Sequence, residues 1–389
     1  MPYLSTAIFL IILSSGAALG VAWEIDPSKY FDINVICERI GEASAACAAG
    51  AREAGIVSCV GGLLAGILLL GINRRLPAQN PPREFGGRAF LLMGIAVAVY
   101  IVISLYIEAT TPLPLNREEP FWRRPAMISV GNLIWPLCLQ LANRARNFKW
   151  RLAFLGLLVP ILAYSPFRGL LFAIAVFGVV VPAIERALRG GKGEGTLTFG
   201  RLLRYGGVVV LVAGIIGQQL VVQTIQRTSN LNLAGKSEAE QVTEKLVQRT
   251  SIPLFQAHLA AERSLNPNLP SILDEFAVKL RIRPGLNINS YLFADTHGGV
   301  SLGETTSLFY GEGALRTGGF PIVWTVVAPL VLLLGWGVLR LVRLDASTLF
   351  ALAMWRGSLG GLISVVPALA IQVAVLYVLT RIENAGKHR

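Results

Sequence analysis

The chain has 389 residues, of which 53% are apolar and only 15% charged, where ordinary soluble domains run to roughly 45–50% and about 25%. Mean hydropathy is +0.59, and the apolar residues come in blocks of roughly 16 to 24, the length that crosses a bilayer. This pattern excludes a secreted disulfide scaffold, a coiled coil and a disordered chain. It also excludes a nucleic-acid binder, because the net charge of +12 comes from Lys and Arg that punctuate the ends of apolar blocks rather than gathering in one run.

Apolar spans fall at 4–23, 54–72, 89–107, 125–142, 152–166, 169–184, 205–224, 318–339, 345–355 and 358–380. The first lacks a basic flank ahead of it and reads as an uncleaved helix rather than a signal peptide. Connections 74–88 (Arg74, Arg75, Arg83, Arg88), 143–151 (Arg144, Arg146, Lys149, Arg151) and 185–204 are basic, Arg340 and Arg343 mark another, and Arg381, Lys387 and Arg389 close the chain. They alternate with less basic stretches at 24–53, 108–124, 165–168 and 225–317. The excess of cations on the cytoplasmic side of membrane proteins then puts both termini in the cytoplasm and 225–317 outside.

The expected fold is an all-α polytopic membrane protein of about ten transmembrane helices. Helices 1–7 lie in 1–224, a large periplasmic helical loop in 225–317, and helices 8–10 in 318–389. The span 345–355 is short, about 16 Å at helical rise. A partial helix there is the alternative, and it moves the C-terminus outside.

Within the loop, Val242, Leu246, Ile252, Leu254 and Leu259 recur at helical spacing among charged residues. Pro253 is expected to break or kink this pattern into two shorter helices. Ser271 to Leu280 reads as a further amphipathic turn or two, and Gly-rich polar sequence follows from Pro284 to Gly319.

Cys59 and Cys138 lie in apolar spans and read as small hydrophobes. Cys37 and Cys47 share one outer segment; on a continuous helix they stand about 15 Å apart, too far to bond, so both are expected to be reduced thiols. The spans carry no mid-bilayer ionisable residue, which argues against an ion-coupled transporter. Their polar residues (Asn132, Gln140, Gln218, Gln219, Gln223, Gln372) read as links between helices.

Arg168 sits in the turn between spans 152–166 and 169–184. The helix before it, Leu152 to Phe167, is only about 24 Å long. That places its guanidinium near or below the outer membrane surface, either gripping a lipid-linked pyrophosphate through its planar fork or snorkelling to headgroups. Arg249, Arg281, Arg283 and Arg316 add cations in the outer segment. Arg281 and Arg283 share one side of an extended strand and either hold a diphosphate or are solvated. Three histidines occur. His388 is in the basic tail, and His258 reads as a packing or surface residue of an amphipathic helix. His297, beside Asp295 and Gly298, either serves as a general base or structures its loop. Spacing shows no Asp-x-Asp pair or His/Cys cluster to hold a metal.

The stretch Asn287 to Phe320 resembles the C-terminal signature of bacterial oligosaccharide repeat-unit polymerases of the Wzy type. The resemblance rests on Asn289, Tyr291 and Phe293, on Thr305 through Ser307 leading to Tyr310, Gly311, Glu312 and Gly313, and on Gly318, Gly319 and Phe320. The Ser165 to Gly169 turn is similar to that family's Ser/Arg/Gly turn. An Arg-x10-Gly pattern found in outer loops of some members is missing, since no Arg in 225–317 has Gly eleven positions on.

The resemblance implies a GT-C-like, metal-independent inverting glycosyltransferase without cofactors in a bacterial inner membrane, its active site facing the periplasm. It would transfer glycan from undecaprenyl diphosphate to the non-reducing end of another lipid-linked repeat. Arg168, Arg249, Arg281, Arg283 and Arg316 would bind the diphosphate; His297, Glu304 or Glu312 would supply catalytic groups; Tyr291, Asp295 and Tyr310 would contact sugar. The implied partners are the undecaprenyl-diphosphate-linked oligosaccharide, membrane lipids and a chain-length co-polymerase. The alternatives are a ligase that moves finished O-antigen to lipid A core and a non-enzymatic lipid or glycan transporter.

Overall fold

The computed structural model describes residues 25–75, 85–110, 123–164, 174–182, 237–262, 271–279, 282, 326, 344, 346–354 and 359–385. Among them the structure is helical, with one isolated bridge between Phe85 and Ala145 and no strand. After a 3-10 turn at Pro27–Lys29, the described α-helices are α1 Phe31–Ile40, α2 Ser44–Arg75, α3 Gly87–Thr110, α4 Arg123–Asn143, α5 Phe148–Gly156, α6 Leu158–Tyr164, α7 Glu238–Glu262, α8 Ile272–Lys279, α9 Ser347–Met354 and α10 Leu359–Ala385. A π-helical segment covers Ile174–Val180.

Among the described residues, three helices are long and apolar enough to cross a membrane, in the stretches Ser44–Ile72, Gly87–Tyr106 and Val366–Ala385. Their outer faces carry exposed apolar side chains at helical spacing: Val60, Leu64 and Ile67 on α2, and Leu91, Ile95, Val99 and Val102 on α3. Water would penalise such continuous apolar faces, and lipid would not. The expected spans 54–72, 89–107, 125–142 and 358–380 each correspond to a described helix. The spans 4–23, 205–224 and 318–339 lie outside the described residues, apart from Val326.

The bundle core is formed by α3, α4, α5, α6, the π-helical segment, α9 and α10, with Tyr100, Leu139, Leu141, Phe154, Leu158 and Phe177 fully buried. Ala65 and Leu69 of α2 belong to the same core. One end of the bundle is tied by polar contacts. Phe85 donates its N–H to the Arg144 carbonyl (3.0 Å) and accepts from the Arg146 N–H (2.9 Å). Glu383 accepts from the Ala89 N–H (3.2 Å), and Arg88 donates to the Ile382 carbonyl (3.4 Å). Residues 85–88 at the close of one basic connection, the basic connection 143–151 and the end of α10 therefore meet at one end.

The expected span 345–355 corresponds to α9. α9 is indeed short, 8 residues or about 12 Å. It starts at the end of the bundle where α10 finishes, with Arg144 donating to the Ser347 hydroxyl (3.4 Å).

Buried amides and a buried-end arginine tie helices together, as the polar residues of the spans are expected to do. Gln140, fully buried, accepts from the Thr348 N–H (2.9 Å) and the Leu349 N–H (3.3 Å), satisfying free donors at the start of α9. Gln372 donates to the Leu133 carbonyl (3.3 Å). Asn143 donates to the Phe177 carbonyl (2.9 Å) and the Thr348 hydroxyl (3.1 Å), and Arg151 donates to the Gly178 carbonyl. These donors stabilise carbonyls of the π-helical segment.

Removing the Gln140 acceptor leaves buried N–H groups without it, at about 1–3 kcal/mol each. Gln140→Met is therefore expected to lower the melting midpoint of the detergent-solubilised protein clearly. Leu91→Met, on an exposed face, should shift stability by less than about 0.5 kcal/mol. Equal midpoints for both variants would contradict the capping role.

Candidate functional site

The N-terminal half of α2 leaves the bundle and builds a second small core with α1 and α7. Asp26 starts this region. The Ser28 hydroxyl (2.6 Å) and backbone N–H (3.1 Å) donate to its carboxylate and hold it below the usual range. α1 then ends at Gly41, whose φ of +82° is left-handed and favours glycine. The Gly41 N–H donates to the Glu38 carbonyl (3.2 Å) and the Glu42 N–H to the Cys37 carbonyl (3.3 Å), the pairing of a Schellman turn. The chain reverses there and enters α2 at Ser44.

The reversal corrects the expectation of two reduced thiols. Cys37 and Cys47 lie on two successive helices rather than one, their Cα atoms are 5.7 Å apart, and they form a disulfide. Cys59 and Cys138 are free, and Cys138 is fully buried in the bundle core as a small hydrophobe.

α7 docks on this hairpin. Leu254, Phe255 and Leu259 pack with Ile33, Ile36, Cys37, Cys47 and Ala51, and Ala257 packs with Ala54. Against expectation, Pro253 does not divide the helix, which runs unbroken from Glu238 to Glu262. An interior proline costs about 3 kcal/mol. Burial of Leu254, Phe255 and Leu259, at about 1.5–3 kcal/mol each, outweighs it. The start of α7 is set by a capping box: Ser237 donates from its N–H and hydroxyl to Glu240 (both 2.8 Å), and the Glu240 N–H donates to the Ser237 hydroxyl (3.3 Å).

At the end of α7 the fold assembles a group absent from any sequence motif. His258 is nearly buried, its side chain 9% exposed, and its Nε2 lies 2.9 Å from Oε2 of Glu42. The ligand atoms of Glu42, His258 and Glu262 all lie within 4.8 Å of one another. Gly50 makes room for the imidazole, since a Cβ there would stand 2.1–2.5 Å from its ring atoms. His258 is thus a packing residue, as expected, and also a polar partner. Spacing rules miss the group because Glu42 and His258 are 216 residues apart.

Arg168, Arg281, Arg283, Tyr291, Asp295, His297, Glu304, Tyr310, Glu312 and Arg316 are outside the described residues. Arg249 lies on α7, nine positions before His258, which is about 14 Å along the helix axis. α8 follows as expected, its start capped reciprocally by Ser271 and Asp274 (both bonds 3.1 Å). It packs on α10 and buries Glu275, a position that carries no sequence signal of its own. After α8 the Ile282 N–H donates to the Ala277 carbonyl (2.8 Å).

No protein-family model matches this chain, and comparisons with curated proteins and with solved structures find no match either.

The disulfide makes a direct prediction. Alkylation of the denatured, unreduced protein should modify only Cys59 and Cys138, and prior reduction should add Cys37 and Cys47. Modification of all cysteines without reduction would contradict the hairpin geometry.

Proposed function

We propose that this chain is a polymerase of lipid-linked polysaccharide repeat units at the periplasmic face of a bacterial inner membrane. The reaction class comes from the resemblance of Asn287 to Phe320 and of the turn at Ser165 to Gly169. The orientation is carried by one structural observation, the docking of α7 on the disulfide-closed hairpin. Described parts of the two segments read from charge as external, Ile33 to Ala51 of 24–53 and Leu254 to Leu259 of 225–317, pack together there. The seam lies far along α2 from the end where the basic connections meet: Cys47 and Leu69 are about 33 Å apart at helical rise, close to the roughly 30 Å of a hydrocarbon core. A disulfide on that side also suits an oxidising compartment.

In this reading an acceptor sugar hydroxyl attacks the anomeric carbon of the donor glycan. The new glycosidic bond forms on the face opposite the breaking bond to the diphosphate, and the hydroxyl proton passes to a base, for which His297, Glu304 and Glu312 are available. Undecaprenyl diphosphate departs with the bonding electrons. Its charge is met by guanidiniums, Arg168 first, with Arg249, Arg281, Arg283 and Arg316 as further cations. Tyr291, Asp295 and Tyr310 serve as sugar contacts.

Arg168→Ala should abolish polymer while the protein still inserts and folds. Arg168→Lys should rescue poorly, because an ammonium lacks the bidentate fork. Reconstituted with a lipid-linked repeat, the wild-type protein should produce a ladder of lipid-linked products. Glycan on lipid A core would instead identify a ligase, and full polymer from both Arg168→Ala and His297→Ala would identify a non-catalytic component.

A further inference from the structure

We propose that Glu42, His258 and Glu262 form a binding site for one divalent cation of the zinc class, which staples α7 to the disulfide-closed hairpin. This inference concerns the extramembrane seam and does not depend on glycosyl transfer. His258 and Glu262 are four positions apart on one helix, so they lie on one face a turn apart. Glu42 arrives from the other side of the seam, directly after the turn at Gly41.

The donor set is an imidazole nitrogen and two carboxylate oxygens. Ligand atoms around a tetrahedral zinc ion, with bonds of about 2.0–2.1 Å, stand about 3.3 Å apart. The 2.9 Å between His258 Nε2 and Glu42 Oε2, with all three ligand atoms within 4.8 Å, needs only small side-chain adjustments to reach that geometry. Two carboxylates balance the charge of the ion. The imidazole favours zinc and its neighbours over magnesium or calcium, which prefer all-oxygen sites. Glu262 is exposed, which leaves the fourth position to water.

The site is also built rather than incidental. The Glu42 backbone is tied by its N–H to the Cys37 carbonyl, and the disulfide fixes the hairpin on either side of the turn. His258 is seated in a recess that any side chain at Gly50 would fill. Both sides of the seam are therefore preorganised, and little ordering remains to oppose binding.

The test uses the full chain in detergent, free of any polyhistidine tag, stripped with EDTA and titrated with Zn2+ by calorimetry. One ion per chain should bind, the melting midpoint should rise with Zn2+, and Mg2+ should not replace it. Glu262→Gln alters an exposed side chain and should melt like wild type without metal, yet bind Zn2+ at least about tenfold more weakly, as loss of even an outer-shell partner does. Glu42→Gln should show the same loss. Absence of binding by the wild-type chain, or equal affinity in the wild type and both variants, would overturn the site. Mg2+ binding as tight as Zn2+ would overturn its class.

Discussion

Ile33 and Ile36 of α1 bury against Leu254, Phe255 and Leu259 of α7, beside the Cys37–Cys47 disulfide. Each large apolar side chain so buried contributes about 1.5–3 kcal/mol, enough together to hold segments separated by some 220 residues and to keep α7 helical through Pro253. α2 carries this seam at its first turns and joins the bundle core through Ala65 and Leu69, so a single helix of 32 residues sets the spacing between the two. A packed seam at one end of a long apolar helix, and a basic, polar-tied end at the other, is the constraint on which any orientation of the chemistry depends.

The bundle itself is held differently. Apolar side chains gain little from leaving lipid for another helix, so close packing and buried polar links specify the arrangement. Gln140 at the start of α9, Asn143 and Arg151 at the carbonyls of Phe177 and Gly178, and Glu383 at the start of α3 each satisfy backbone groups that helix ends or a π-helical segment leave open. Their concentration near one end is consistent with the basic connections that gather there. Phe90 adds aromatic contacts, its ring centroid 5.6 Å from that of Trp150 and 5.8 Å from that of Phe154.

Much of this was legible in the order of residues, and what was missed has physical causes. Apolar blocks and their cationic flanks locate α2, α3, α4 and α10, because length and hydropathy govern membrane helices directly. The apolar spacing of Ile252, Leu254 and Leu259 likewise finds the buried face of α7. The disulfide was missed because one glycine, Gly41, reverses the chain between cysteines that a continuous helix would separate. Pro253 was misjudged because its local cost is visible in sequence while the offsetting tertiary burial is not. The Glu42, His258 and Glu262 group joins residues from distant parts of the chain, beyond the reach of spacing rules. The proposed reaction rests on Arg168 and on Asn287 to Phe320, where motif chemistry and not packing supplies the reading.

Sidedness of single introduced cysteines tests the central claim most directly. In intact cells, a membrane-impermeant thiol reagent should label Ser237→Cys, exposed at the start of α7, without disruption of the membrane. Lys149→Cys, exposed at the basic end, should be labelled only after permeabilisation. Labelling of both from the same side would contradict an extramembrane layer and a basic end on opposite faces, and with it the proposed orientation of the arginine-rich segment.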